Sequence, residues 1–423
     1  MRTTSVPGRR GDLDILRTLV VVGLVFFHTA TTFDLMDDSF YIKNADRSAV
    51  LTFISAFVAM WGMPLLMLIS GMSIWHALGR RRPMAFIAER LQRLVVPWIF
   101  GILTLVPCMA YLGGRSNGQI SGSYWQFLPA FFTIRPAFDF PWLWQSTGMF
   151  EDGHLWFLWV LFVYSLLALP LLLWLRGAAG QPWIERLARL AERPGGVFLP
   201  ALLVALGEAV WQTEMTGGWN RSVYFIVLIM GFLLAADPRF NRAVRTHAPY
   251  ALALALLLFG GVIALFMNQM RVGIDPGRGF DPISIIFRIV KGLDGWMWLI
   301  AIMGLAGRLV GRSAMADRAG QPQQAGRDRA PWLRDLRTWL VAYGNEAVLP
   351  FYILHEPVVV AIAFFVVRWP VGIAMKYLAI SVPSLVVTLV LYELFIRRIA
   401  IVRFVFGMRP QVRQQHGTQP LPA

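Results

Sequence analysis

The chain has 423 residues, 57% of them hydrophobic and only 15% charged, against about 25% charged in an average soluble protein. Its mean hydropathy is +0.57, and several apolar runs reach the roughly 20 residues that span hydrocarbon, which excludes a string of soluble domains. The net charge of +15 does not indicate nucleic-acid binding, because no basic reading module stands outside the apolar runs; cytoplasmic loops of membrane proteins collect such an excess.

The expected fold is all-α: a polytopic integral membrane protein of about ten transmembrane helices. Residues 1–11 carry Arg2, Arg9 and Arg10 and form a cytoplasmic arm. The first span covers about 13–33 and is too long for a cleaved signal, so it is expected to remain as an anchor. Further spans are expected at about 50–78, from near Pro97 to Leu112, and at 154–175, 197–214, 221–236, 249–270, 284–307, 345–367 and 373–395. A polar stretch at about 308–337 is read as a cytoplasmic linker. The membrane domain thus covers 12–407, and 408–423 is a polar tail expected to be disordered. Cations concentrate in alternate loops, so both termini are placed in the cytoplasm. Cys108 is the sole cysteine, which rules out a disulfide within the chain and a thiolate metal cluster.

The first span holds the most informative pair. Arg17 and His28 are separated by Thr-Leu-Val-Val-Val-Gly-Leu-Val-Phe-Phe. Eleven helical positions turn through about 1,100°, so both side chains share one face, roughly 16 Å apart along the axis. Arg17 then lies at the cytoplasmic end and His28 past the midplane. Each has an ordinary reading, a snorkelling cation paired with Asp14 or a hydrogen-bonded polar residue between helices. Together they mark a path from the inner surface to a deep base, since ionisable groups inside spans are costly and point to function.

Other candidates follow along the chain. Ser70-Gly71 favours close helix packing. Arg90 and Arg93 in Phe86-Ile-Ala-Glu-Arg-Leu-Gln-Arg-Leu-Val-Val-Pro97 share one helix side and suit an anion clamp, because guanidinium forks match phosphate geometry; basic residues ahead of a span are also ordinary topology. In the loop 113–152, Trp142 and Trp144 belong to an aromatic belt or to a platform that stacks sugar rings. His154 and His355 are further imidazoles, with Glu356 beside the second. Spacing gives no support for a metal held by His28, His154 and His355, so no metal and no tightly bound cofactor is expected. Arg288, Lys291 and Asp294 recur every third residue, for local ion pairing near the outer surface or for polar acceptor contact. Glu208 is a carboxylate within a span with no partner assignable from sequence.

The ordered set resembles the acyltransferase 3 family: an Arg, ten residues and a His in the first span, Ser70-Gly71 in the second, and Arg90-x-x-Arg93 followed by Pro97. Gly153-His-Leu-Trp-Phe-Leu158 and Leu349-Pro-Phe-Tyr-Ile-Leu-His-Glu-Pro357 resemble it too, closest to the branch that includes glucan-biosynthesis succinyltransferases. The resemblance covers about residues 12–408. It implies a bacterial inner-membrane enzyme that moves an acyl group from cytoplasmic acyl-coenzyme A to a hydroxyl of an envelope carbohydrate. The implied partners are that donor, the carbohydrate and the bilayer. It also implies that His28 is essential and that Arg17, Arg90 and Arg93 handle the donor. One departure is Glu89, where family members often carry another Arg.

From the residues alone, His28 suits a general base or a transient acyl acceptor, and burial favours the neutral imidazole that either role needs. The alternative from a different class is a transporter for an anionic glycolipid or small anion. A transporter would release no coenzyme A.

Overall fold

The computed structural model describes residues 11–36, 38–133, 136–137, 145–146, 149–210, 215–272, 279–319 and 331–409. Helix dominates throughout. The extended pairings among these residues are two short antiparallel ladders, β1 (Pro136–Ala137) with β2 (Gln145–Ser146), and β3 (Met215–Thr216) with β4 (Trp219–Asn220). In hydrocarbon only intrasegment hydrogen bonding satisfies the backbone, which is why so apolar a chain becomes helices.

Among the described residues seven stretches are long and apolar enough to cross a membrane. They are α1 (Gly11–Thr31), α2 (Ala49–Leu78), the joined pair α3 (Pro83–Arg90) and α4 (Val96–Ser116), α6 (Trp156–Arg176), α10 (Pro238–Val272), α12 (Pro331–Val366) and α13 (Ile373–Leu391). An eighth is formed if α7 (Gln181–Glu192) and α8 (Pro200–Val210), bent by 116°, count as one broken span. The remaining elements are α5 (Tyr124–Phe131), α9 (Arg221–Ala236), α11 (Pro282–Ala319) and α14 (Ala400–Val405). The expectation of about ten spans therefore exceeds this count by α9 and α11. With 16 residues, α9 reaches only about 24 Å, and α11 carries Arg288, Lys291 and Asp294 in its first turns.

Two boundaries differ from expectation. The third span does not begin after Arg90 and Arg93: the helix starts at Pro83 and runs through a π turn, Leu91–Val95, into α4. Pro97 lacks the N–H that would bond the Arg93 carbonyl, and the Val96 N–H reaches back to Leu91 instead. Both arginines thus ride within the helix. The stretch expected as a linker is entered by helix from both sides, α11 ending at Ala319 and α12 starting at Pro331.

Helix α2 packs against α1, α9 and α11, while α12 packs against α1, α4 and α13. The α2–α9 crossing is set by two glycines. A Cβ on Gly71 would lie 2.0 Å from the Leu228 carbonyl, and one on Gly231 would lie 2.0 Å from the Leu68 carbonyl. The small residue after Ser70 therefore serves the close packing expected of it.

Candidate active site

The site is assembled on α1, α12 and the turn before α6. Asp152 precedes a 3-10 turn, Gly153–Leu155, that carries His154 into α6. Helix α12 contains Pro350 and Pro357. Pro357 has no N–H to offer the carbonyl four residues earlier, Ile353. His154 Nε2 bonds that carbonyl at 3.0 Å. Because a carbonyl only accepts, Nε2 carries the proton and Nδ1 keeps its lone pair. His355 Nδ1 donates likewise to the Tyr352 carbonyl at 2.6 Å, which leaves Nε2 unprotonated and without a hydrogen-bond partner among the described residues.

These imidazoles converge with His28 on Glu356. His28 Nε2 lies 3.3 Å from Glu356 Oε2, and His154 Nδ1 lies 3.6 Å from the same oxygen. The His28 and His355 rings are 5.2 Å apart, and those of His154 and His355 5.4 Å. His355 is fully buried, Glu356 nearly so, and His28 keeps a partly open edge. The four candidates, 328 residues apart at their extremes in sequence (28 and 356), thus form one cluster. His28, His355 and Glu356 offer ligand atoms within 4.8 Å of one another. Two imidazoles and a carboxylate suit a divalent ion such as zinc. The His28–Glu356 approach suits a shared proton equally well.

A cavity of about 700 Å³ opens onto His28, His154, Glu356 and Tyr352. It is lined by aromatic rings, Tyr41, Trp156 and Trp159 among them, and by Asp34, Glu151, Asp152 and Arg221. The Tyr41 hydroxyl donates to Glu151 at 2.7 Å. Burial holds the Glu151 carboxyl above the usual carboxylate range, partly offset by that hydrogen bond. Burial and the neighbouring Glu151 likewise raise the Tyr41 phenol. Asp34 pairs with Lys43 at 2.9 Å and accepts from Ser55 at 3.1 Å. The cavity floor includes Gly217 and Gly218, the β3–β4 turn. Both have positive φ, which glycine adopts without strain.

A second cavity, about 650 Å³, opens at the opposite end of α1. Arg17, Arg90 and Arg93 all line it, together with Arg80, Arg81, Arg403 and Arg409. Arg17 donates to Ser73 at 2.8 Å and stands 3.9 Å from Asp14. Glu89 does not break up this group. It pairs with Arg81, with Arg409 at 3.3 Å and with Arg93 at 3.8 Å, so it ties three arginines around one carboxylate. Arg403 and Arg409 come from α14 and the chain beyond it. Sequence reasoning counted Arg80, Arg81, Arg403 and Arg409 alike as cations of alternate loops, because only folding brings residues 403 and 409 beside α3.

Not every candidate joins the site. Asp294 is fully buried in α11 and lines neither cavity. Lys291 does not pair within its own helix but crosses to Glu208 at 2.6 Å, which supplies the partner that sequence could not assign. The other Glu208 oxygen accepts from the Asn220 N–H at 2.8 Å. Arg288 donates to the Gly279 carbonyl at 2.9 Å. The three side chains are thus buried and not surface ion pairs. The Glu208–Lys291 pair braces the β3–β4 turn beneath the first cavity. Trp142 and Trp144 lie outside the described residues.

The fold and the site define a class: a multi-pass helical membrane protein with an imidazole–carboxylate cluster between two opposed cavities. Residues 10–393 match the model of the acyltransferase 3 family, described as an acyltransferase domain. The chain belongs to this family, whose members are membrane acyltransferases acting on carbohydrates. No curated protein and no solved structure matches the chain, so the narrower placement beside glucan-biosynthesis succinyltransferases gains no support.

Proposed function

We propose that the protein transfers a short acyl group, acetyl or succinyl, from cytoplasmic acyl-coenzyme A to a hydroxyl of an extracytoplasmic carbohydrate. The observation that carries this reading is the pairing of an arginine-lined cavity with a separate cavity holding His28 and Glu356. The phosphates of coenzyme A suit the first, which Arg17, Arg90 and Arg93 line with guanidinium groups whose geometry matches oxyanions. The aromatic and hydroxyl-accepting walls of the second suit a sugar ring.

In this mechanism His28 takes the proton of the acceptor hydroxyl as the oxygen attacks the thioester carbonyl. Glu356, 3.3 Å away, stabilises the imidazolium that forms, as a carboxylate does for a catalytic histidine. The carbon–sulfur bond breaks, and the coenzyme A thiolate leaves and takes up the proton. His154 and His355, their N–H groups tied to Ile353 and Tyr352, pack against Glu356 and His28 and confine them.

In the proposed topology α9 and α11 also cross the membrane, which together with the broken α7–α8 span gives ten crossings and places both termini in the cytoplasm of a bacterial inner membrane. The arginine excess in alternate loops supports this orientation. It also puts the arginine cavity on the side where acyl-coenzyme A is found.

The test uses purified protein in liposomes, with acetyl- or succinyl-coenzyme A and an envelope carbohydrate fraction. Acceptor-dependent thiol release that His28→Ala abolishes is expected. Absence of release from folded protein with every donor would move the protein to the transporter reading. Loss of activity on chelation, restored by zinc, would turn His28 from base to metal ligand.

A further inference from the structure

The two cavities meet at one side chain. Among the described residues Tyr352 lines both, and no other residue does. Helix α12 crosses from one to the other at this point: Pro350 faces the arginine cavity, and Glu356, one turn past Tyr352, faces the other. Phe157, whose ring is 6.0 Å from that of Tyr352, lines the arginine cavity; His154, at 5.7 Å, lines the opposite one. The phenol is held in place, since its hydroxyl donates to the His154 carbonyl and its own carbonyl accepts from His355. With 5% of its surface exposed, it closes the gap it occupies.

We propose that Tyr352 is the acyl-selecting partition of this enzyme, a specificity-determining residue that admits a short acyl group to His28 and excludes longer ones. The inference rests on the acyl-transfer reading. A thioester bound through phosphates among the arginines has to bring its carbonyl past the Tyr352 ring to reach the hydroxyl beside His28. The ring is held at its hydroxyl by the His154 carbonyl and flanked by Phe157 and His154, so the space left to the acyl chain is set by packing. One methylene too many in such a slot costs about 10- to 200-fold in selectivity.

The experiment measures thiol release in liposomes from acetyl-, propionyl-, butyryl- and hexanoyl-coenzyme A, with wild type, Tyr352→Phe and Tyr352→Ala. Wild type is expected to lose activity as the chain lengthens beyond the four carbons of succinyl. Tyr352→Ala is expected to raise the hexanoyl-to-acetyl ratio of kcat/KM by about tenfold or more, while affinity for free coenzyme A, measured by competition, is unchanged. Tyr352→Phe keeps the ring and should keep the wild-type ratio. Equal ratios in all three proteins would overturn the partition and leave acyl transfer standing. No release by folded wild type from any thioester would overturn both. Should Tyr352→Ala lose coenzyme A binding through misfolding, Tyr352→Leu is judged by the same ratio. A second reading needs no turnover: in a Cys108→Ser background, His28→Cys is labelled by an impermeant thiol reagent in right-side-out and inverted vesicles. Labelling from one face with Tyr352 present and from both with Tyr352→Ala supports the partition, and labelling unaltered by the substitution counts against it.

Discussion

The two cavities enclose similar volumes, about 650 and 700 Å³, behind walls of opposite chemistry. One gathers seven arginines from α1, α3, the π turn, the α2–α3 connection and the chain end, tied by acids such as Glu89. The other offers aromatic faces and carboxylates, with Arg221 as its cation among the described residues. The first would hold a polyanion mainly through charge, the second a neutral polyol through shape and hydrogen bonds. A guanidinium cluster repels itself unless an anion or carboxylates intervene, so the arginine cavity has affinity for anions built into its electrostatics. The aromatic cavity has to obtain affinity from fit.

Substitutions can break or sharpen this contrast. The largest effect is expected from His28→Ala, which should lower kcat by about 10²- to 10⁴-fold, the usual contribution of a general base. Coenzyme A binding, measured separately, should persist; its loss would mean that the two cavities are not independent. Lys291→Met tests a region outside both. Removing one partner of a buried ion pair costs about 3–5 kcal/mol, and Lys291 and Glu208 are both nearly inaccessible. A marked fall in melting temperature is expected, and double replacement with Glu208→Gln should recover part of it.

Arg90→Ala should raise the donor KM by about 10- to 100-fold, as loss of a charged hydrogen bond does, and leave the acceptor KM unchanged. Added salt should weaken donor binding by wild type more than acceptor binding. An equal salt effect on both substrates would remove the contrast. The smallest effect concerns Glu151. Its carboxyl is raised by burial, so the folded state holds the proton more tightly than the unfolded chain. The associated stability is present at low pH and lost as pH rises through the folded value. Wild type should therefore lose melting temperature relative to Glu151→Gln as pH is raised from about 4.5 toward neutrality. Identical profiles would show that the carboxyl is not held this way.

What the sequence determined by itself was local or ordered along the chain. Apolar length announced the helices, because a bilayer leaves the backbone no other partner. Helical periodicity placed Arg17 and His28 on one face, and the spacing of Arg90 and Arg93 placed them on another; in the structure His28 lines one cavity and the three arginines the other. Glu356 was visible only as the neighbour of His355. Tertiary structure alone decided that His154, His28 and His355 meet around it, since which helices touch depends on crossings such as Gly71 against Leu228. It decided that Lys291 reaches Glu208 and not a neighbour on α11, because burial makes a cross-helix partner necessary for both charges. It also made Tyr352 the common wall of two cavities. An aromatic residue among many in an apolar helix has no pattern that marks it until the surrounding space has a shape.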